Sequence, residues 1–234
     1  MSSDKQSQYN LWHLFSTCEA EKKMSTILRG GLWCAELNSI PAFEGDVEGS
    51  QPYGIFVSCW HKSDGDPSDK AWQVFGNSGD GVALRAKPSF MRSLANQFST
   101  GGLSARFDQV SYLINGQQVT DAAFEVAPSH NQEEEMRVAL FLTEITDRDT
   151  RARKEQIRKI APVSCPNPQA MTEFRSLTYV EDDGDDAIIL PISIADLIEE
   201  IVIGSKVSEN DRSNLLKMLQ GSGLTSKIRR SDAA

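Results

Sequence analysis

The 234-residue chain lacks most features that announce a function class. No apolar run approaches the length of a membrane span, and the segment Ala187 to Pro191 is only strand-sized. Met1 to Tyr9 is polar, without the apolar centre of a secretory leader, so a cytoplasmic chain with no membrane contact is expected. Cysteine is scarce. Cys18, Cys34, Cys59 and Cys165 have no staple-like spacing and are expected as free thiols. Histidine is scarcer still, with only His13, His61 and His130. No His-Glu-x-x-His occurs, and no two cysteines and no two histidines stand at zinc-ligand spacing, so no metal is expected. Cys59-Trp60-His61 comes nearest to a pair of soft ligands, and ordinary buried cysteine is the alternative. Phosphate loops ending in Lys-Ser or Lys-Thr are missing, as is Gly-x-Gly-x-x-Gly after a strand, and there is no internal repeat.

The net charge of −9 argues against generic coating of DNA. Charge is nevertheless segregated. Arg148 to Lys159 holds six basic residues and two acidic ones, while Glu133 to Glu135 and Glu181 to Asp186 are acidic. Solvated helix faces explain such runs. A local anion site explains them too, with Arg151, Arg153, Lys154 and Arg158 touching nucleic acid.

What is present reads as an α+β domain over 11–231, with mixed, mostly antiparallel sheets and flanking helices. A flexible start over 1–10 and a tail over 232–234 flank it. Strands are expected over Leu11–Phe15, Leu32–Leu37, Tyr53–Trp60, Gly81–Ala86, Glu173–Val180, Ala187–Leu190 and Leu224–Ile228. The first helix opens on the capping box Ser16-Thr17-Cys18-Glu19, buries Ala20, Met24, Ile27 and Leu28, and stops at Gly30-Gly31. Further helices are expected over Asp69–Phe75, from Pro88 to Phe98, and from Ser208 to Leu219. Another should run through Ile194, Leu197, Ile198 and Ile201. Glu133 to Ile160 reads as helix with a break near Asp147, and Asn115-Gly116 reads as a hairpin turn.

Three polar positions stand out. His13 lies in an apolar strand just before a helix N-terminus, whose amides and partial positive charge favour an anionic group. A core histidine bonded to backbone is the plainer reading. Ser58 sits among Phe56, Val57, Cys59 and Trp60, where its hydroxyl can meet a ligand or its own strand. Glu173 begins a strand after a proline-rich loop, so its carboxylate can face a cleft or pair with Arg175.

In order, these residues resemble the bacterial proteins grouped as domain of unknown function 2971, from Leu11 to about Ser231. The opening Leu11-Trp12-His13-Leu14-Phe15-Ser16-Thr17, with Ile27-Leu28 and Gly31-Leu32-Trp33, is similar to that family's "L-Y-H-Y-T-S … I-L … G-x-L-W" start. Val57-Ser58-Cys59-Trp60, Ala71-Trp72, Gly81-Val82-Ala83-Leu84, Glu173-Phe174-Arg175 and Ile201-Val202-Ile203-Gly204 follow its later blocks. Met171 stands where the family has the first Glu of "E-x-E-W-R". The opening is also similar to ADP-ribosyltransferase-like folds, including DNA-modifying toxins.

That resemblance implies an NAD-dependent ADP-ribosyltransferase or NAD-consuming hydrolase, a toxin or antiphage defence effector. By motif, His13 would hold the NAD ribose and Thr17 would touch ribose or phosphate. Ser58 would line the nicotinamide pocket. Glu173 would be catalytic, stabilising an oxocarbenium-like transition state. The acceptor would be nucleic acid or protein. The alternative is a non-catalytic binding module with a protein partner in a defence or regulatory complex.

Overall fold

The computed structural model describes residues 9–37, 54–98, 103–112, 121–126, 134–142, 152, 154, 155, 157, 177–181, 186–220, 224 and 227–231. They form a ten-stranded, mostly antiparallel sheet with helices packed on it, which is an α+β fold. The first half runs β1 (Asn10–Ser16), α1 (Thr17–Leu28), β2 (Gly31–Glu36), β3 (Ile55–Ser63), α2 (Asp69–Phe75), β4 (Gly81–Ala86), α3 (Pro88–Gln97) and β5 (Leu103–Gln109). Two short strands, β6 (Ser111–Tyr112) and β7 (Glu125–Val126), pair with each other in parallel, away from the main sheet. Then follow β8 (Glu135–Leu142), β9 (Thr178–Val180), β10 (Ala187–Pro191), α4 (Ile194–Leu197), β11 (Ile198–Ile203), α5 (Glu209–Leu219) and β12 (Ile228–Arg230). Among the described residues, no helix is long and apolar enough to cross a membrane.

The sheet forks at β3. One edge of β3 pairs along its length with β8, which pairs in turn with β5. The other edge is shared by two strands. β1 pairs with its last part (Trp12 opposite His61), and β2 pairs with its first part (Ala35 opposite Val57). Beyond Trp12, β1 parts from β3 but stays paired to β4, which leads to β11 and the parallel strand β12. β2 leads to β10 and β9. The two branches therefore diverge from a common spine, with α1 crossing from one to the other.

Alternation along the strands sets the layers. Leu11 and Phe15 of β1 and Phe56 and Trp60 of β3 face the main core, which α1 and α3 cover with Met24, Ile27, Met91 and Leu94. Trp12 and Leu14 face the other way, under Ala71 and Trp72 of α2. A third cluster holds Val57, Ala139, Phe124 and Leu37.

Several expected elements differ. Glu135–Leu142 is not the start of a long helix but the central strand β8, with strands on both sides. All but one of its residues are buried, so it shows no alternation, and a doubly buried strand rich in Ala and Leu mimics a helix. The helical expectation does hold further on, at Ala152, Lys154, Glu155 and Ile157. The expected helix through Ile201 stops after Leu197 and becomes β11. A bulge between Ile198 and Glu200 lets Ile198 and Ile201, three apart, both reach the core from a strand. β5 was not expected, and the last strand lies at Ile228–Arg230 rather than Leu224–Ile228. Asn115-Gly116 lies outside the described residues.

Candidate functional site

His13 occupies the crotch of the fork. Where β1 leaves β3, its imidazole Nδ1 lies 2.8 Å from the Cys59 carbonyl oxygen. Between the Trp12–His61 and Ala35–Val57 pairings, neither branch pairs with β3, so this side-chain bond continues where the ladder stops. The ring packs 5.1 Å from that of Trp60 and 5.7 Å from that of Phe15. Burial, and next the Lys23 ammonium, push the His13 pKa down to about 4, so the ring is neutral at pH 7. A carbonyl can only accept, so Nδ1 carries the proton and donates it. Nε2 is left as an acceptor with a fixed direction.

The capping box brings Glu19 back over the helix start. Its carboxylate accepts from the Ser16 amide at 3.4 Å and the Ser16 hydroxyl at 3.1 Å, and Lys23 donates to it at 2.7 Å. Burial acts the other way, but Lys23 and Ser16 hold the Glu19 carboxyl below the usual range. Thr17 closes a second contact. Its hydroxyl donates to the Asp80 carboxylate at 3.0 Å and its amide to the Asp80 carbonyl at 3.1 Å. The opening turn is thus internally satisfied, and its positive end already holds a carboxylate. Thr17, expected to touch ribose or phosphate, stands at this clasp to Asp80.

Ser58 is brought to the same fork but below the surface, only 2% exposed. Its hydroxyl accepts the Trp60 indole N–H at 3.1 Å. It fixes the ring that lies against His13. Lys154, expected at a nucleic-acid contact, donates to the Glu181 carboxylate at 2.5 Å and lies over the Tyr179 ring. Glu173, Arg151, Arg153, Arg158 and His130 lie outside the described residues.

Cys59 and His61 point away from His13, as alternation requires. Cys59 stands opposite Arg137 and His61 opposite Glu135 on the β3–β8 pair. Arg137, 2% exposed, donates through Nε to Glu135 at 2.7 Å and through Nη1 to the Ala123 carbonyl at 3.0 Å. Burial and then Glu135 push the Cys59 thiol up, which leaves it a poor nucleophile. Among the described residues, no three His, Cys, Asp or Glu side chains gather to hold a metal ion.

Sequence reasoning missed Asp80 and Lys23. Lys23 was readable as the partner four residues beyond Glu19. Asp80 was not, because its contact with Thr17 spans 63 positions. No family model, no curated protein and no solved structure matches the chain.

Proposed function

We propose that this chain is an NAD-consuming enzyme of the ADP-ribosyl transfer type, with NAD seated at the fork of the sheet. One observation carries the reading: His13 is a neutral imidazole, fixed in one tautomer, where two sheet branches part. An unprotonated Nε2 suits a hydroxyl donor such as a ribose. A charged histidine would repel no anion but could accept no hydroxyl proton. Bound NAD would supply the labile bond between nicotinamide and ribose. The chain would hold the ribose through His13, keep the ring in place through Ser58 and Trp60, and exclude water with Phe15 and Trp60. Glu173 would face the positive charge that grows on the sugar. The acceptor would be nucleic acid or protein, in the setting of a toxin or antiphage effector.

The test is release of nicotinamide from NAD by wild type, His13→Ala and Glu173→Gln, with and without nucleic-acid and protein acceptors. Release by wild type should fall at least about 100-fold in Glu173→Gln, the scale of losing one transition-state contact. Intact NAD under every acceptor would sink the proposal.

A second reading is a non-catalytic binding module. It is favoured by the satisfied opening turn, where Thr17, Ser16 and Glu19 already bond to protein. Tight NAD binding without turnover, unaffected by Glu173→Gln, would select it.

A further inference from the structure

The face of the sheet opposite His13 carries a cavity. Between α2 and β4 the chain passes through Asn77, Ser78 and Gly79 with φ of +47°, +57° and +93°. The left-handed region suits Gly79 and is tolerated by Asn77, but it is unfavourable for Ser78. The turn is clamped by backbone from the end of β11. Lys206 N–H donates to the Gly79 carbonyl at 3.1 Å, and Gly204 N–H to the Gly81 carbonyl at 2.9 Å. Gly204 comes so close that a Cβ there would stand 2.1 Å from the Gly79 oxygen. Strain held this firmly in place is characteristic of binding sites.

The clamp frames a cavity of about 220 Å³ walled by Asp69, Trp72, Ser78, Ser205, Lys206 and Ser231. Trp72 is buried, whereas the rest of these lining residues are polar. Lys206 and Asp69 are both exposed. Among the described residues neither has an ion-pair partner, and they do not pair with each other across the cavity. The lining thus includes an ammonium and serine hydroxyls, which match the several oxygens of a phosphate. It also includes a carboxylate, which accepts from hydroxyls. The volume falls below the roughly 300–1,000 Å³ of drug-sized sites, so one sugar unit fits and a dinucleotide does not.

We infer that this cavity binds a sugar phosphate, with the phosphate on Lys206 and the serines and the sugar hydroxyls on Asp69. The site stands independently of NAD turnover at His13.

The experiment is calorimetric titration of the full chain with ribose 5-phosphate, and with ribose and inorganic phosphate separately. Ribose 5-phosphate should bind at about 1 mM or tighter, and more tightly than either part. Lys206→Gln should weaken it at least about tenfold, and Asp69→Asn should weaken it while leaving inorganic phosphate unchanged. Both side chains are exposed, so the variants should keep the wild-type circular dichroism. Absence of binding at roughly 10 mM, equal binding by Lys206→Gln, or phosphate alone binding as well as the sugar phosphate would each overturn it.

Discussion

His13 ties stability to pH. Its folded pKa of about 4 lies below the ordinary 6.5, because burial and Lys23 disfavour the charged ring. As pH falls from 6.5 towards 4, the unfolded chain takes up a proton that the folded chain refuses. Stability is fully present above pH 6.5 and is lost down to pH 4, by up to about 3 kcal/mol. His61, also lowered by burial, acts in the same direction. Melting temperatures between pH 4 and 7 should therefore slope upward in wild type and less steeply in His13→Gln. An NMR titration that placed the His13 midpoint at 6 or above would contradict this. On the opposite face, Arg137 and Glu135 are buried together. Arg137→Leu strands a buried carboxylate and should cost about 3–5 kcal/mol by urea denaturation. The double variant Arg137→Leu/Glu135→Leu should recover most of it. If the double is no better than the single, the pairing is not what holds this region.

At the scale of elements, the Gly204–Gly79 crossing makes the sharpest prediction. Gly204→Ala forces a methyl into a carbonyl and should destabilise by about 1–3 kcal/mol or more, lowering the denaturation midpoint. An unchanged midpoint would mean that the two segments part easily. The elements that were legible in advance share one property. α1, α2, α3 and β4 carry their own boundary signals in Ser16, Ser68, Pro88 and the Gly79-Asp80-Gly81 turn. β8 and β11 carry none. β8 takes its form from partners about 30 and 80 positions away in sequence, and β11 from a bulge. β5 is different, since Leu103, Ala105 and Phe107 alternate with exposed Ser104, Arg106 and Asp108, and its signal was present but unread. The site divides in the same way. The place of His13 before a capped helix was legible. Its bond to the Cys59 carbonyl was not, because nothing local says that two strands will compete for one edge of β3. The hydroxyl of Ser58 was legible as polar in an apolar setting and that of Thr17 only through the resemblance, and neither bond, to Trp60 or to Asp80, was legible.

At the scale of the whole molecule, the forked sheet ends, among the described residues, at β12, β9 and β5. β12 and β9 are three residues long, and β12 carries Arg229 and Arg230. Arg229 is pinned to Glu200 at 2.5 Å and also to Asp66, while Arg230 reaches the Ser205 carbonyl at 2.9 Å. These arginines do more than tie the last strand down. A strand end with unpaired amides and carbonyls recruits another chain, and charge set upon it makes that recruitment costly. The double variant Arg229→Val/Arg230→Val should keep the fold yet scatter light at concentrations where wild type stays clear. If it stays equally clear, the edge is protected by other means. Charge clustered at the last strand is then expected to disfavour the pairing of one wide sheet with another, the step that seeds a fibre.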